Sequence, residues 1–294
     1  MRPLEVLFIE PFAAYGFMRT ALIGIAALAL ANAPIGTLLL ARRMSLVGDV
    51  LSHAVMPGAA LGFAIAGYSL LTLSLGGALT GLAVAALSSV FARTRARHQD
   101  IDLAVYYLLS LAIGVLLVSA RGSNVDLMHV LFGTILAVDL PTLVLMALLA
   151  TLSVLLFAAA YRAIAVDSFD PGFLQAAAGA GNVYRLLFLV LVVIDLVAGF
   201  QAFGTLLAVG PLLLPAAAAR SWTRRIGPSV VLSAALGLLS GYVGLLLSFF
   251  LNLPSGPSIV LVAGGLYLIS VLAARHAPRL APARRPAEPQ GSAP

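Results

Sequence analysis

Arg42-Arg43-Met44-Ser45-Leu46-Val47-Gly48-Asp49-Val50-Leu51-Ser52-His53-Ala54-Val55-Met56-Pro57-Gly58 is the stretch that decides how this chain is read. Two arginines close a long apolar run, Phe12 to Leu40. The next run, Val47 to Tyr68, opens with an acid and a histidine four residues apart. On a helix such positions stack on one face, so Asp49 and His53 offer a carboxylate and an imidazole to one point. Those donors suit zinc or manganese. An ionisable side chain within an apolar span is costly unless it faces a cavity, a partner or an ion. Two donors do not complete a four-coordinate site, but a symmetric pair of chains would bring two Asp and two His to a shared axis. Spacing alone leaves three readings open: metal ligands, a hydrogen-bonded pair that packs the bundle, or a proton relay. Ser52 points away from His53 on a helix and makes no nucleophile with it. Pro57 breaks the hydrogen-bond ladder just beyond the pair, which makes it a candidate gate.

Outside this stretch the chain is overwhelmingly apolar. Of 294 residues 62% are hydrophobic and 10% charged, against roughly 25% charged in soluble domains. The mean hydropathy is +1.08. Many windows of about 20 residues carry no charge, which is the membrane-span signal. The expected class is an all-α polytopic membrane protein that meets lipid along most of its length. The 17 basic residues are all arginine and give a net charge of +6 against 11 acids. They are spread over short loops rather than gathered in a patch, so nucleic acid is not an expected partner. The chain has no cysteine, which excludes disulfides and thiolate metal sites. It has no GxxxxGK[ST] loop and no lysine, so it is not itself a P-loop ATPase. The first apolar run lacks a charged leader with a small-residue cleavage site and is expected to stay as a span.

The remaining runs are Leu70–Phe91, Leu103–Val118, Pro141–Ala160, Leu186–Ala219, Val230–Phe250 and Ser258–Ala274. Leu186–Ala219 is too long for one crossing at about 1.5 Å per residue, and a break is expected near Gly199–Gly204. Leu127–Val138 is too short to cross and reads as a re-entrant or interfacial piece. This gives about 8–9 transmembrane helices, nine on the direct count. With Arg42 and Arg43 at the cytoplasmic face, 14 of the 17 arginines fall on that side, the positive-inside bias. The N-terminus is then external. Most basic loops and the C-terminus are cytoplasmic. Residues 1–275 form the membrane domain, and 276–294 form a Pro/Arg/Ala-rich tail expected to be disordered. The longest polar connection, about 161–185, contains Asp170, Pro171 and Gly172 as a helix-start signal. Gly179 and Gly181 provide a stop. A stub helix at 171–178 is expected there, placed where a cytosolic motor could dock.

Secondary candidates are Asp195, a second acid inside a span, and His129, beside an outer loop as an access ligand or interfacial side chain. Asp126 and Asp139 mark the ends of the short outer piece. His98 and His276 lie in basic segments and read as solvated.

The segment "RRMSLVGDVLSHAVMPGAALGF" at 42–63 resembles the signature of the zinc/manganese/iron ABC transporter permeases, the family often called ABC-3. "VDLMHVLFGTILAV" at 125–138, "GTLLAVGPLLLPAAAAR" at 204–220 and "LPSGPSIVL" at 253–261 match in the same order, and the likeness covers roughly residues 10–275. The resemblance implies a type II ABC importer permease-like bundle in a bacterial cell membrane. It implies import of a divalent metal, zinc first with manganese or iron as alternatives, at a homodimer interface. No cofactor would be permanently bound. The implied partners are a second copy, cytosolic ATP-binding subunits that use ATP, and an external metal-binding protein. The family's "GD-x-x-x-H" pattern falls on Asp49 and His53, and its coupling segment falls around Asp170–Gly181. Three features depart from it: Asp195 at an apolar position, Tyr106-Tyr107 where small residues are usual, and Gly210-Pro211. A secondary transporter or channel using Asp49, His53 and Asp195 as a relay is the alternative.

Overall fold

The computed structural model describes residues 8–67, 69–94, 99–119, 133, 135–169 and 181–276. Among these the chain is helical: α1 (Glu10–Ala14), α2 (Gly16–Ala41), α3 (Ser45–Ala66), α4 (Leu70–Thr94), α5 (Gln99–Ser119), α6 (Leu140–Phe169), α7 (Gly181–Leu207), α8 (Val209–Trp222), α9 (Ile226–Leu251) and α10 (Ser255–His276). Seven helices are long and apolar enough to cross a membrane. The apolar stretch Val105–Leu117 of α5 is shorter, as is α8 with its 14 residues. The expected break in the long run Leu186–Ala219 is present. Gly204 adopts φ 73° and ψ 174°, and the chain restarts as α8. Only glycine takes that conformation without steric cost. Gly133, at φ 60°, packs its backbone against this break. The 3₁₀ turn Ile135–Ala137 follows it, with Ile135 buried beside α2, α7 and α10. The short outer apolar piece therefore ends inside the bundle. Asp139 starts α6 by accepting the Thr142 N–H at 3.0 Å. Hydrogen bonds from the Thr142 side chain and amide hold its carboxyl below the usual carboxylate range.

Lipid tails are as apolar as leucine, so contact between spans depends on close packing and hydrogen bonds rather than on hydrophobic burial. The sequence supplies small residues where helices must touch. Gly58 of α3 lies on the Gly76 carbonyl of α4, and Gly62 lies on the Thr72 carbonyl. The pairs step in opposite directions along an antiparallel hairpin that turns at Gly67. A Cβ at either α3 position would overlap backbone. Gly36 lies against the Leu212 carbonyl in the same way, bringing α2 onto α8. Helices α2, α3 and α7 lie in the middle of the bundle. Their apolar windows are 72%, 67% and 72% buried, whereas those of α4, α6 and α10 are 28%, 22% and 22% buried and turn outward.

The turn from α2 to α3 is built by the paired arginines. Met44 N–H donates to the Leu39 carbonyl at 2.9 Å and Arg43 N–H to the Leu40 carbonyl at 3.2 Å. Arg43 takes φ 57°. This is a Schellman stop with arginine at the position usually held by glycine. Helix α6 runs nine residues past the predicted end of its span at Ala160, to Phe169. The polar residues read as a loop start are compatible with helix because Asp167 is paired with Arg42 at 2.9 Å.

Substitution of Gly58 by valine is expected to push α3 off α4, at a cost of about 1–3 kcal/mol typical of overpacking or more. Thermal unfolding of the detergent-solubilised protein should show the loss. Gly227→Val, where no neighbour lies within reach of a Cβ, serves as the control for the bulkier side chain.

Candidate functional site

Helix α3 places Asp49 and His53 on one face, as their spacing requires. His53 lies eight residues into the helix, about 12 Å from its start. The imidazole Nε2 stands 3.9 Å from Asp49 Oδ1. That is too far for a hydrogen bond. It is short enough for an ion bound about 2.0–2.2 Å from each donor, the range for divalent zinc. The pair is unequal in exposure. The Asp49 side chain is 50% exposed, and His53 is 5% exposed. His53 Nδ1 is buried without a hydrogen-bond partner among the described residues. Tyr107 of α5 packs edge-on against the imidazole, with centroids 4.6 Å apart and planes at 85°. The carboxylate is thus open, while the imidazole is roofed by α5 within the same chain. The sequence reading had both groups on one accessible seam.

Two features of α3 shape this end. Ser52 Oγ donates to the Asp49 carbonyl at 2.7 Å, so it braces the helix and leaves His53 alone. Pro57 is buried inside the helix. Lacking an N–H, it cannot make the ladder bond to the His53 carbonyl four residues back. The backbone is therefore weakest next to the histidine.

Asp195 of α7 is 2% exposed, and neither carboxylate oxygen has a hydrogen-bond partner among the described residues. Ser153 of α6 is its polar neighbour, although no bond of acceptable geometry joins them. Among the described residues no group of three His, Cys, Asp or Glu converges as a metal site. Asp195 therefore does not complete the Asp49–His53 pair. His129, Asp126, His98, Asp170, Pro171, Gly172 and Gly179 lie outside the described residues. Gly181 is the first residue of α7, and His276 is the last of α10.

Two contributors were not legible in the sequence. Tyr107 stood out only as part of a tyrosine pair where the resembled family usually has small residues. Arg42 was read as a topology marker, yet its guanidinium is buried and fully engaged. Burial pulls it below its ordinary pKa, and Asp167 pushes it back up.

A comparison with known proteins decides the family. The ABC 3 transport family profile matches residues 14–274. The chain belongs to the ABC 3 transport family. The manganese transport system membrane protein MntC of Listeria innocua is 34% identical over 270 residues, which are 91% of this chain and 94% of that protein. The manganese import system permease protein ScaB of Streptococcus parasanguinis is 31% identical over 263 residues, 90% and 92% of the two chains. The solved structure of PsaBC from Streptococcus pneumoniae in complex with Fab superposes with a TM-score of 0.80 at 31% identity. It covers 90% of this chain and 94% of that one. The all-helical bundle is therefore that of a membrane-embedded ABC 3 permease, a transport subunit.

If Tyr107 roofs His53, diethyl pyrocarbonate should modify His53 slowly in the parent protein and several-fold faster in Tyr107→Ala. Mass spectrometry of the peptide carrying His53 reads the rate. Equal rates would mean that the tyrosine does not shield the imidazole.

Proposed function

We propose that this permease is the membrane subunit of an ATP-driven importer of divalent metal, and that the ion passes Asp49 and His53. The observation that carries the reading is the 3.9 Å carboxylate–imidazole gap on a buried helix, in a chain whose relatives are manganese transport proteins. Manganese is the favoured cargo. The resemblance put zinc first, although carboxylate and imidazole donors suit both ions.

Two donors from one chain are too few for a transported ion held in transit. We assign the missing ones to a second copy, to water, or to both. The chain carries no phosphate loop, so ATP is hydrolysed in separate cytosolic subunits. The segment 170–180, between the ends of α6 and α7, is their docking place. An external binding protein delivers the ion to the opposite face. The permease makes no covalent bond. Its work is to differ in ion affinity between two states. Tyr107 and the weakened ladder at Pro57 supply the means: moving α5 from His53 opens the imidazole, and returning it closes the site.

The test is uptake into proteoliposomes containing the permease and its ATPase. Manganese should accumulate with ATP, ahead of zinc and iron. Asp49→Ala and His53→Ala should each abolish accumulation while the complex still assembles. Full uptake by both variants would discard the site, and equal uptake without any ATPase would discard the class.

A further inference from the structure

Each of the three Arg42 guanidinium nitrogens meets the end of α6. Nη1 meets Asp167 Oδ2 at 2.9 Å, Nε donates to Ser168 Oγ at 2.8 Å, and Nη2 donates to the Ile164 carbonyl at 2.9 Å. Its plane lies over the Phe188 ring of α7 at 4.3 Å, a cation–π distance. Ser168 Oγ in turn donates to the Ile164 carbonyl at 2.6 Å, closing the network. The side chains of Arg42 and Asp167 are only 6% and 7% exposed. A half-buried second arginine, Arg185, is near enough to repel Arg42. A topology marker needs none of this. An arginine that only marks the cytoplasmic face would extend into water.

What the network connects is specific. Arg42 ends α2 and stands three residues before α3, the helix that carries Asp49 and His53. Asp167 and Ser168 lie at the end of α6, and Phe188 lies near the start of α7. Those two helix ends flank residues 170–180. Arg43 locks the turn in a left-handed stop, so little slack lies between the guanidinium and the first turn of α3. Planar, multidentate pairing of this kind fixes orientation as well as distance.

We infer that Arg42, clamped by Asp167, is a positioning residue that makes the start of α3 move with the adjoining ends of α6 and α7. The inference deepens the proposed function and rests on it: a displacement imposed at 170–180 reaches Asp49 and His53 through this clamp. The covalent route from α6 to α3 passes back through α5 and α4, and α5 packs mainly on α3 itself. Helix α7 also packs directly on α3, and the clamp adds the polar link that ties the end of α6 to the start of α3.

The test uses the permease–ATPase complex in proteoliposomes and reads manganese ions imported per phosphate released. Asp167→Asn keeps the side-chain volume and leaves the Ser168 and Ile164 contacts in place. It is expected to assemble and hydrolyse ATP, but to import roughly tenfold fewer ions per ATP, because the buried guanidinium loses the charged partner that fixes its orientation. The exchanged pair Arg42→Asp with Asp167→Arg should recover much of the ratio, and Arg42→Asp alone should not. A merely structural pair would lower the yield of assembled complex and leave the ratio of the survivors unchanged. An unchanged ratio in Asp167→Asn overturns the inference while the functional reading stands. Failure of both Asp167→Asn and the exchanged pair to assemble also overturns it, because the pair is then a folding element. A parent complex with no ATP-driven uptake sinks the functional reading first.

Discussion

The contact on which the rest of the molecule depends is backbone against backbone between α3 and α4. Gly58 and Gly62 have no side chain to hold the neighbouring carbonyls away. In lipid no hydrophobic force draws one span to another, and close packing must do so. A helix with an acid and a histidine near its start would otherwise have poor claims to the interior. The small-residue face draws α3 in, and α2 and α7 close round it. His53 is buried with the helix, under Tyr107 of α5.

Among the buried polar groups of the described residues, three arrangements are settled in different ways. Arg42 and Asp167 are saturated with partners and sit where the bundle meets the polar loops. Asp195 is enclosed beside Ser153, with neither oxygen hydrogen-bonded among the described residues, the costliest of the three. Asp49 and His53 stand between these extremes, one group open and one covered, too far apart to satisfy each other. A pair held just beyond hydrogen-bond range has its donors free for something placed between them. The same incompleteness that makes the pair a poor packing element makes it a good stopping place for an ion in transit.

Much of this was legible in the sequence, for identifiable reasons. Continuous apolar runs mark spans because backbone in lipid must satisfy itself, and length sets where a run must break. The break at Gly204 and the one-turn stacking of Asp49 and His53 follow from such local rules. The end of α6 does not. Arg162, Asp167 and Ser168 look like a loop until Arg42, 125 positions before Asp167 in the chain, is seen to neutralise the acid. Tyr107 was equally hidden, because its role depends on which face of α5 meets α3. What a residue does through a distant partner is not written in its neighbours. The choice of manganese over zinc came from relatives, since carboxylate and imidazole serve either ion.

The central claim is that the imidazole of His53 and the carboxylate of Asp49 hold the transported ion together. Manganese(II) is paramagnetic, so pulsed electron paramagnetic resonance of the ion bound to the permease–ATPase complex reads its ligands directly. The account predicts a nitrogen hyperfine coupling from a directly bound imidazole that vanishes in His53→Gln. A spectrum showing only oxygen ligands, or a nitrogen coupling that survives this substitution, would contradict it.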